Sequence, residues 1–163
     1  MTIIITVLAV LIATTAVIVL KREEPKTPMS FYESMKLVNL PVVTFKIGDE
    51  DINLMLDSGG MKNFIDSRVV ELLKLPHEKL KENNKISVYG ITGNIVENEI
   101  IHMHVQYKGM DFEDDFIAQD LSGSMDTLKQ EFGVRIHGML GASFFEKYKY
   151  VLDFKNLIAY TKK

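Results

Sequence analysis

Leu54-Met55-Leu56-Asp57-Ser58-Gly59-Gly60 (54–60, LMLDSGG) sets one carboxylate directly after an apolar run and directly before a hydroxyl and two glycines. A buried carboxylate without partners is costly. Residue 57 is therefore a surface turn, one half of a satisfied pair, or a catalytic group. Asp, Ser and Gly are also the commonest turn formers, so the tripeptide alone does not choose among these.

The apolar run before Asp57 reads as one arm of a hairpin. PVVTFKI (41–47) and INLMLD (52–57) flank the turn cluster Gly48-Asp49-Glu50-Asp51, and apolar runs around such a cluster are a hairpin signature. NEIIHMHVQY (98–107) and MDFEDDFIAQ (110–119) flank Lys108-Gly109 and form a second. VLDF (151–154) and LIAY (157–160) flank Lys155-Asn156 and form a third. Two helical pieces interrupt: SRVVELLKL (67–75), with Asp66 or Ser67 as its cap, and ASFFEKY (142–148), at most two turns. Short strands with glycine-bearing turns and few helices predict an all-β, closed or folded-over architecture rather than an alternating parallel sheet.

Two more blocks bear on Asp57. Near the C-terminus, Ile136-His137-Gly138-Met139-Leu140-Gly141-Ala142-Ser143-Phe144-Phe145-Glu146-Lys147-Tyr148 runs on to Val151-Leu152-Asp153-Phe154. Between the two, Ser87-Val88-Tyr89-Gly90-Ile91-Thr92-Gly93-Asn94 carries two glycines around a β-branched pair. Together with LMLDSGG and the following Asn63-Phe64-Ile65, these blocks resemble, in order, the signatures of the retroviral-type (retropepsin-like) aspartic proteases.

The resemblance spans roughly residues 38 to 160. It implies a single-lobe, closed β-barrel acid-protease domain over 31–163 with one or two short helices. Asp57 is then the catalytic carboxylate, hydrogen-bonded by the Gly59 amide in a loop braced by the Ser58 hydroxyl. Tyr89, Gly90, Ile91, Thr92 and Gly93 form the flap over substrate, and mobile lids of this kind exclude water and complete a site. Gly138, Met139, Leu140 and Gly141 form the second loop motif. The implied substrate is a protein or peptide, with no cofactor. One departure is Gly60, where Ala, Ser or Thr is common; an extra glycine costs about 0.5–1 kcal/mol relative to Ala in regular structure.

Hydrolysis by aspartic chemistry needs two carboxyls sharing a proton, because like charges about 3 Å apart cannot both ionise easily. This chain offers one Asp-Ser-Gly, and Asp153 precedes Phe154 with no Ser/Thr-Gly after it. The implied dyad is Asp57 from each subunit of a homodimer with an isologous interface. Gly60 and the single carboxylate also motivate an alternative, a catalytically weak or inactive binding or scaffolding module on the same fold. A membrane-tethered β-domain unrelated to proteases would require three ordered motifs to coincide.

Residues 1–20 contain no charge, Pro or Gly, and a helix of about 20 such residues spans a bilayer core of roughly 30 Å. A cleavable signal peptide would carry a basic start and a small-residue cleavage site. Neither is present, so the run is read as a retained single-pass anchor. KREEPKTPMS (21–30) reads as a stiff juxtamembrane linker. Lys21 and Arg22 favour a cytoplasmic catalytic domain under the positive-inside rule. The absence of cysteine excludes a disulfide framework, and a net charge of −3 without a basic stripe argues against nucleic acid. His102 and His104 share a strand face but have no obvious third metal ligand, and Asp111, Glu113, Asp114 and Asp115 lack the spacing of a calcium loop.

Overall fold

The structure, a computed structural model, describes residues 29–79, 86–89 and 95–161. The expected membrane helix over 1–20 and the flap residues Gly90, Ile91, Thr92 and Gly93 lie outside the described residues. Among the described residues no helix is long and apolar enough to cross a membrane.

The chain enters through α1 (Phe31–Val38), started by a reciprocal capping box between Ser30 and Glu33, which satisfies amides that the first turn would leave unpaired. Phe31 and Val38 are buried beneath it. Met29 and Ser30, read from sequence as the end of a linker, belong to the folded domain: Met29 is buried, its carbonyl accepts the Thr44 N–H and its own N–H donates to the Thr44 hydroxyl. The hairpin β1 (Val42–Ile47) and β2 (Glu50–Leu56) follows in antiparallel register from Val42↔Met55 to Ile47↔Glu50. Gly48 supplies its left-handed turn residue, at φ +61°.

Beyond the Asp57 loop come β3 (Asn63–Asp66), α2 (Ser67–Leu72), β4 (Glu78–Lys79) and β5 (Ile86–Tyr89). Then β6 (Ile95–Tyr107) and β7 (Met110–Gln119) pair from Glu99↔Ala118 to Tyr107↔Met110. Lys108 and Gly109 between them both have positive φ, as a two-residue type I′ turn requires. The chain ends with α3 (Ser122–Phe132), β8 (Gly138–Leu140), α4 (Ala142–Tyr148), β9 (Tyr150–Asp153) and β10 (Ile158–Thr161).

Six strands form a ring in the order β1-β2-β8-β3-β7-β6, closed where Lys46 of β1 pairs with Gln106 of β6. The expected all-β closed barrel is therefore observed. β4 and β5 attach to β6 outside the ring, and β9 and β10 make a separate antiparallel pair. Short helices number four among the described residues rather than one or two: α1 and α3 join the two expected from sequence.

The barrel interior is filled by Phe45, Ile52, Leu54, Ile65, Ile101, Met103, Phe116 and Leu140, all at most 1% exposed. α4 is pinned to it by Phe144, whose ring lies 5.2 Å from Phe112, 4.9 Å from Tyr148 and 5.5 Å from Tyr150. Each such buried aromatic contributes about 1.5–3 kcal/mol by burial, so α4 is held firmly where its first turn meets the Asp57 loop.

Candidate active site

β2 delivers Asp57 to the barrel rim. β8 lies between β2 and β3, parallel to the first in the register Leu54↔Gly138, Met55↔Met139, Leu56↔Leu140 and antiparallel to the second. The Asp57 loop, which joins β2 to β3, must therefore cross the end of β8. It is tied down as it crosses. Asp57 donates its N–H to the Leu140 carbonyl at 2.9 Å, and the Gly60 N–H closes a tight turn onto the Asp57 carbonyl at 3.2 Å.

The far side of the loop is held by α4. That helix has no side-chain cap, so its first amides need other acceptors. The loop supplies them: Ala142 N–H donates to the Gly60 carbonyl at 2.7 Å, and Ser143 N–H to the Met61 carbonyl at 3.3 Å. Asn63, 1% exposed in the barrel wall, completes the frame; its Oδ1 accepts the Gly141 N–H at 3.0 Å and its Nδ2 donates to the Asp115 carbonyl at 3.1 Å. Asn63 was quoted from the sequence without a role. Its signal was an amide at an inward position of an apolar strand.

The Asp57 carboxylate itself is half-buried, and its Oδ1 accepts the Gly59 N–H at 3.0 Å, as the resemblance implies. Neither Gly59 nor Gly60 has positive φ, so closeness and not backbone angle explains these glycines. A Cβ at residue 59 would lie 3.3 Å from Asp57 Oδ1, and one at residue 60 would lie 3.0 Å from Oδ2. Gly60 thus gives the carboxylate room, where the sequence showed only its cost relative to Ala. Ser58 is exposed, and among the described residues its hydroxyl makes no hydrogen bond. The expected brace is not formed within one chain.

Gly138 and Gly141 sit where strands and loop touch. A Cβ on Gly138 would strike the Phe64 carbonyl, and one on Gly141 the Lys62 carbonyl. Met139 is half-buried and Leu140 fully buried. Tyr89 ends β5, opposite Ile95 of β6.

Asp66 and Asp153 have structural work. Asp66 is buried, caps α2 by accepting the Arg68 N–H, and takes the Arg68 guanidinium at 2.6 Å, which also reaches Asp126 and Asp120. Asp153 accepts amides from Asn156 and Lys155 in the β9–β10 turn, and the Asn156 bonds above all hold it below the usual carboxylate range. His102 pairs with Asp115 and His104 with Asp111 across β6 and β7. Among the described residues no three metal-binding side chains converge. Asp57 has no cationic partner among the described residues, and its one side-chain hydrogen bond there is to the Gly59 amide.

A groove of about 730 Å³ bounded by Met29, Glu33, Thr44, Lys46, Tyr107 and Lys108 lies beside the β1–β2 turn, at the opposite end of β2 from Asp57. Its lining includes no residue of the Asp57 loop.

No protein-family model and no curated protein matches the sequence. Among solved structures, the fold is similar to those of retropepsin-like aspartic protease domains. The retroviral protease-like domain of Ddi1 from Leishmania major has 14% identity and a TM-score of 0.48, over 76% of this chain and 89% of that one. EIAV protease, in complex with the inhibitor HBY-793, has 16% identity and a TM-score of 0.49, over 71% and 93%. A retropepsin-like aspartic protease from Rickettsia conorii has 14% identity and a TM-score of 0.43, over 69% and 75%.

Proposed function

We propose that the chain is a membrane-anchored aspartic-type endopeptidase in which Asp57 from each of two copies forms the catalytic dyad. The observation that carries this reading is the state of Asp57: a half-buried carboxylate held by backbone alone, on a loop fixed from both sides, with no cation among the described residues to neutralise it. A fixed, unneutralised carboxylate fits acid–base work better than structural pairing.

In the dyad one carboxylate removes a proton from water, whose oxygen attacks the peptide carbonyl carbon. The partner carboxyl protonates the carbonyl oxygen. Collapse of the tetrahedral intermediate breaks the C–N bond: the leaving nitrogen takes the proton held by the first carboxyl, and a hydroxyl of the intermediate returns its proton to the partner carboxylate, which restores the singly protonated pair. Positioned acid–base help of this kind contributes about 10²–10⁴-fold per group. The active species is the singly protonated pair, so rate against pH follows a bell whose limbs belong to the pair. The test is cleavage of a diverse peptide library by the full-length protein in detergent, from about pH 3 to about pH 8. An inert wild type would shift the assignment to a binding module on the same fold.

Two features suit assembly. Met61, next to the loop, is 79% exposed, an apolar surface that a second copy would cover, and confinement to a membrane raises the effective concentration of copies. Activity per chain should rise with protein concentration and saturate as dimer forms, measured by dilution series beside analytical ultracentrifugation. Full activity in a strictly monomeric sample would refute the shared dyad. The anchor has its own check: the protein should stay with membranes through alkaline carbonate extraction and keep its original N-terminus. Soluble material beginning near residue 25 would show a cleaved leader instead.

A further inference from the structure

Beside the β2–β8 pairing, polar groups are buried in a connected chain. The Met29 N–H donates to Thr44 Oγ1 at 2.6 Å, and the Thr44 hydroxyl donates to Asn53 Oδ1 at 2.6 Å. Asn53 Nδ2 donates to the Arg135 carbonyl at 2.9 Å. The Asn53 N–H donates to His137 Nδ1 at 2.9 Å, while the His137 N–H returns to the Asn53 carbonyl at 2.8 Å. Finally the His137 carbonyl accepts the Asp66 N–H at 2.8 Å.

These directions fix the imidazole. A backbone N–H can only donate, so Nδ1 bears a lone pair and the ring proton sits on Nε2. A doubly protonated ring would present N–H to N–H at this point, and the bond would be lost. The place matters: His137 and Asn53 immediately precede the pairing Leu54↔Gly138 to Leu56↔Leu140 that ends at the Asp57 N–H bond to Leu140.

We propose that His137 is a positioning residue for the Asp57 loop, and that only its neutral ring keeps β8 in the register that seats the loop. The proposal rests on the reading of Asp57 given above. The groups facing the ring are few. Asn53 from β2 is neutral, as is Thr44 beyond it on β1. Arg135, on the same segment, opposes a charged ring, and Asp66 at the end of β3 favours one but is already engaged by Arg68. Burial, reinforced by Arg135 and only partly offset by Asp66, pushes the ring from 6.5 down to about 4.

The sign follows from that direction. Between pH 6.5 and about 4 the unfolded chain carries the proton and the folded chain does not. Stability from the neutral ring is thus complete above 6.5 and is lost progressively as pH falls to about 4.

The test compares wild type, His137→Asn and His137→Leu as full-length chains in detergent. Asn places an acceptor oxygen close to the Nδ1 position but cannot be protonated. In wild type, long-range ¹H–¹⁵N spectra should show an unprotonated Nδ1, and the denaturation midpoint should fall between pH 6.5 and about 4. In His137→Asn the midpoint should stay level through that window. His137→Leu should lose about tenfold or more in kcat with KM little changed, as expected of a misplaced reacting group, and His137→Asn should recover most of that loss.

Parallel midpoints in wild type and His137→Asn, or a wild-type ring protonated on Nδ1 at neutral pH, would overturn the proposal. If wild type cleaves nothing, the catalytic reading fails separately. The Gly59 and Gly60 amide resonances then decide: movement with the His137 titration supports loop positioning, and indifference to it rules positioning out.

Discussion

Asp57→Asn should give a folded protein that cuts no peptide. Asn keeps the shape of Asp and keeps Oδ1, so the Gly59 N–H retains its acceptor at 3.0 Å. No ion pair is broken, because none among the described residues includes Asp57. Substitutions away from packing and pairing usually change stability by no more than about 0.5 kcal/mol, and that is the change expected in a thermal or denaturant melt. Dimerisation should persist or strengthen, since two facing carboxylates no longer repel.

Catalysis is another matter. In the proposed two-copy dyad one substitution removes both carboxyls, hence both the group that would take the proton from water and the group that would give one to the carbonyl. With each acid–base role contributing about 10²–10⁴-fold, kcat/KM should drop at least about 10⁴-fold, below detection in a peptide-library assay. A folded Asp57→Asn protein cleaving within about tenfold of wild type would remove Asp57 from the chemistry. The obvious replacements would then be hard to defend, because Asp66 is buried under Arg68 and Asp153 is spent on its own turn.

Local physics made part of this architecture legible in the sequence. The β1–β2, β6–β7 and β9–β10 hairpins were readable because alternation and turn residues lie within a few positions of each other. The Asp57 turn and the helix at Ala142–Tyr148 were readable for the same reason. Ring closure was not: β8 slips between β2 and β3 from more than 70 residues away, through glycines whose role is contact with distant backbone. α1 had a readable Ser30–Glu33 capping box, but the prolines before it made the stretch look like linker. α3 has no side-chain cap and buries only Met125, which leaves little periodic signal. The polar frame of Thr44, Asn53, Asn63 and His137 was hidden by distance, since Asn53 and His137 bond across 84 residues. An isolated polar residue inside an apolar strand was the available clue, and it names no partner.

Gly141→Ala should cost both stability and rate, without touching a reacting atom. Gly141 has φ −92° and ψ −178°, extended backbone that alanine adopts freely, so the obstacle is space and not angle. A Cβ there would overlap the Lys62 carbonyl oxygen, lie 2.7 Å from the Lys62 carbonyl carbon and lie 2.8 Å from the Gly60 carbonyl oxygen. All three are backbone atoms of the Asp57 loop, and backbone cannot rotate aside as a side chain can. Retreat of α4 is also blocked, because Phe144 is locked among Phe112, Tyr148 and Tyr150. The loop must therefore lift. In lifting it gives up the Ala142-to-Gly60 bond and the Gly141-to-Asn63 bond, and it carries Asp57 out of the position the proposed dyad needs. Overpacking of this sort costs about 1–3 kcal/mol, and displacement of a reacting group by about 1 Å costs about 10²-fold in rate. Gly123→Ala is the matched control: it lies within α3, its added Cβ meets nothing within 4 Å, and alanine should stabilise that helix by up to about 1 kcal/mol. The measurement is kcat/KM and denaturation midpoint for both variants beside wild type. Wild-type turnover in a Gly141→Ala protein would mean that contact between β8, α4 and the loop does not set the position of Asp57.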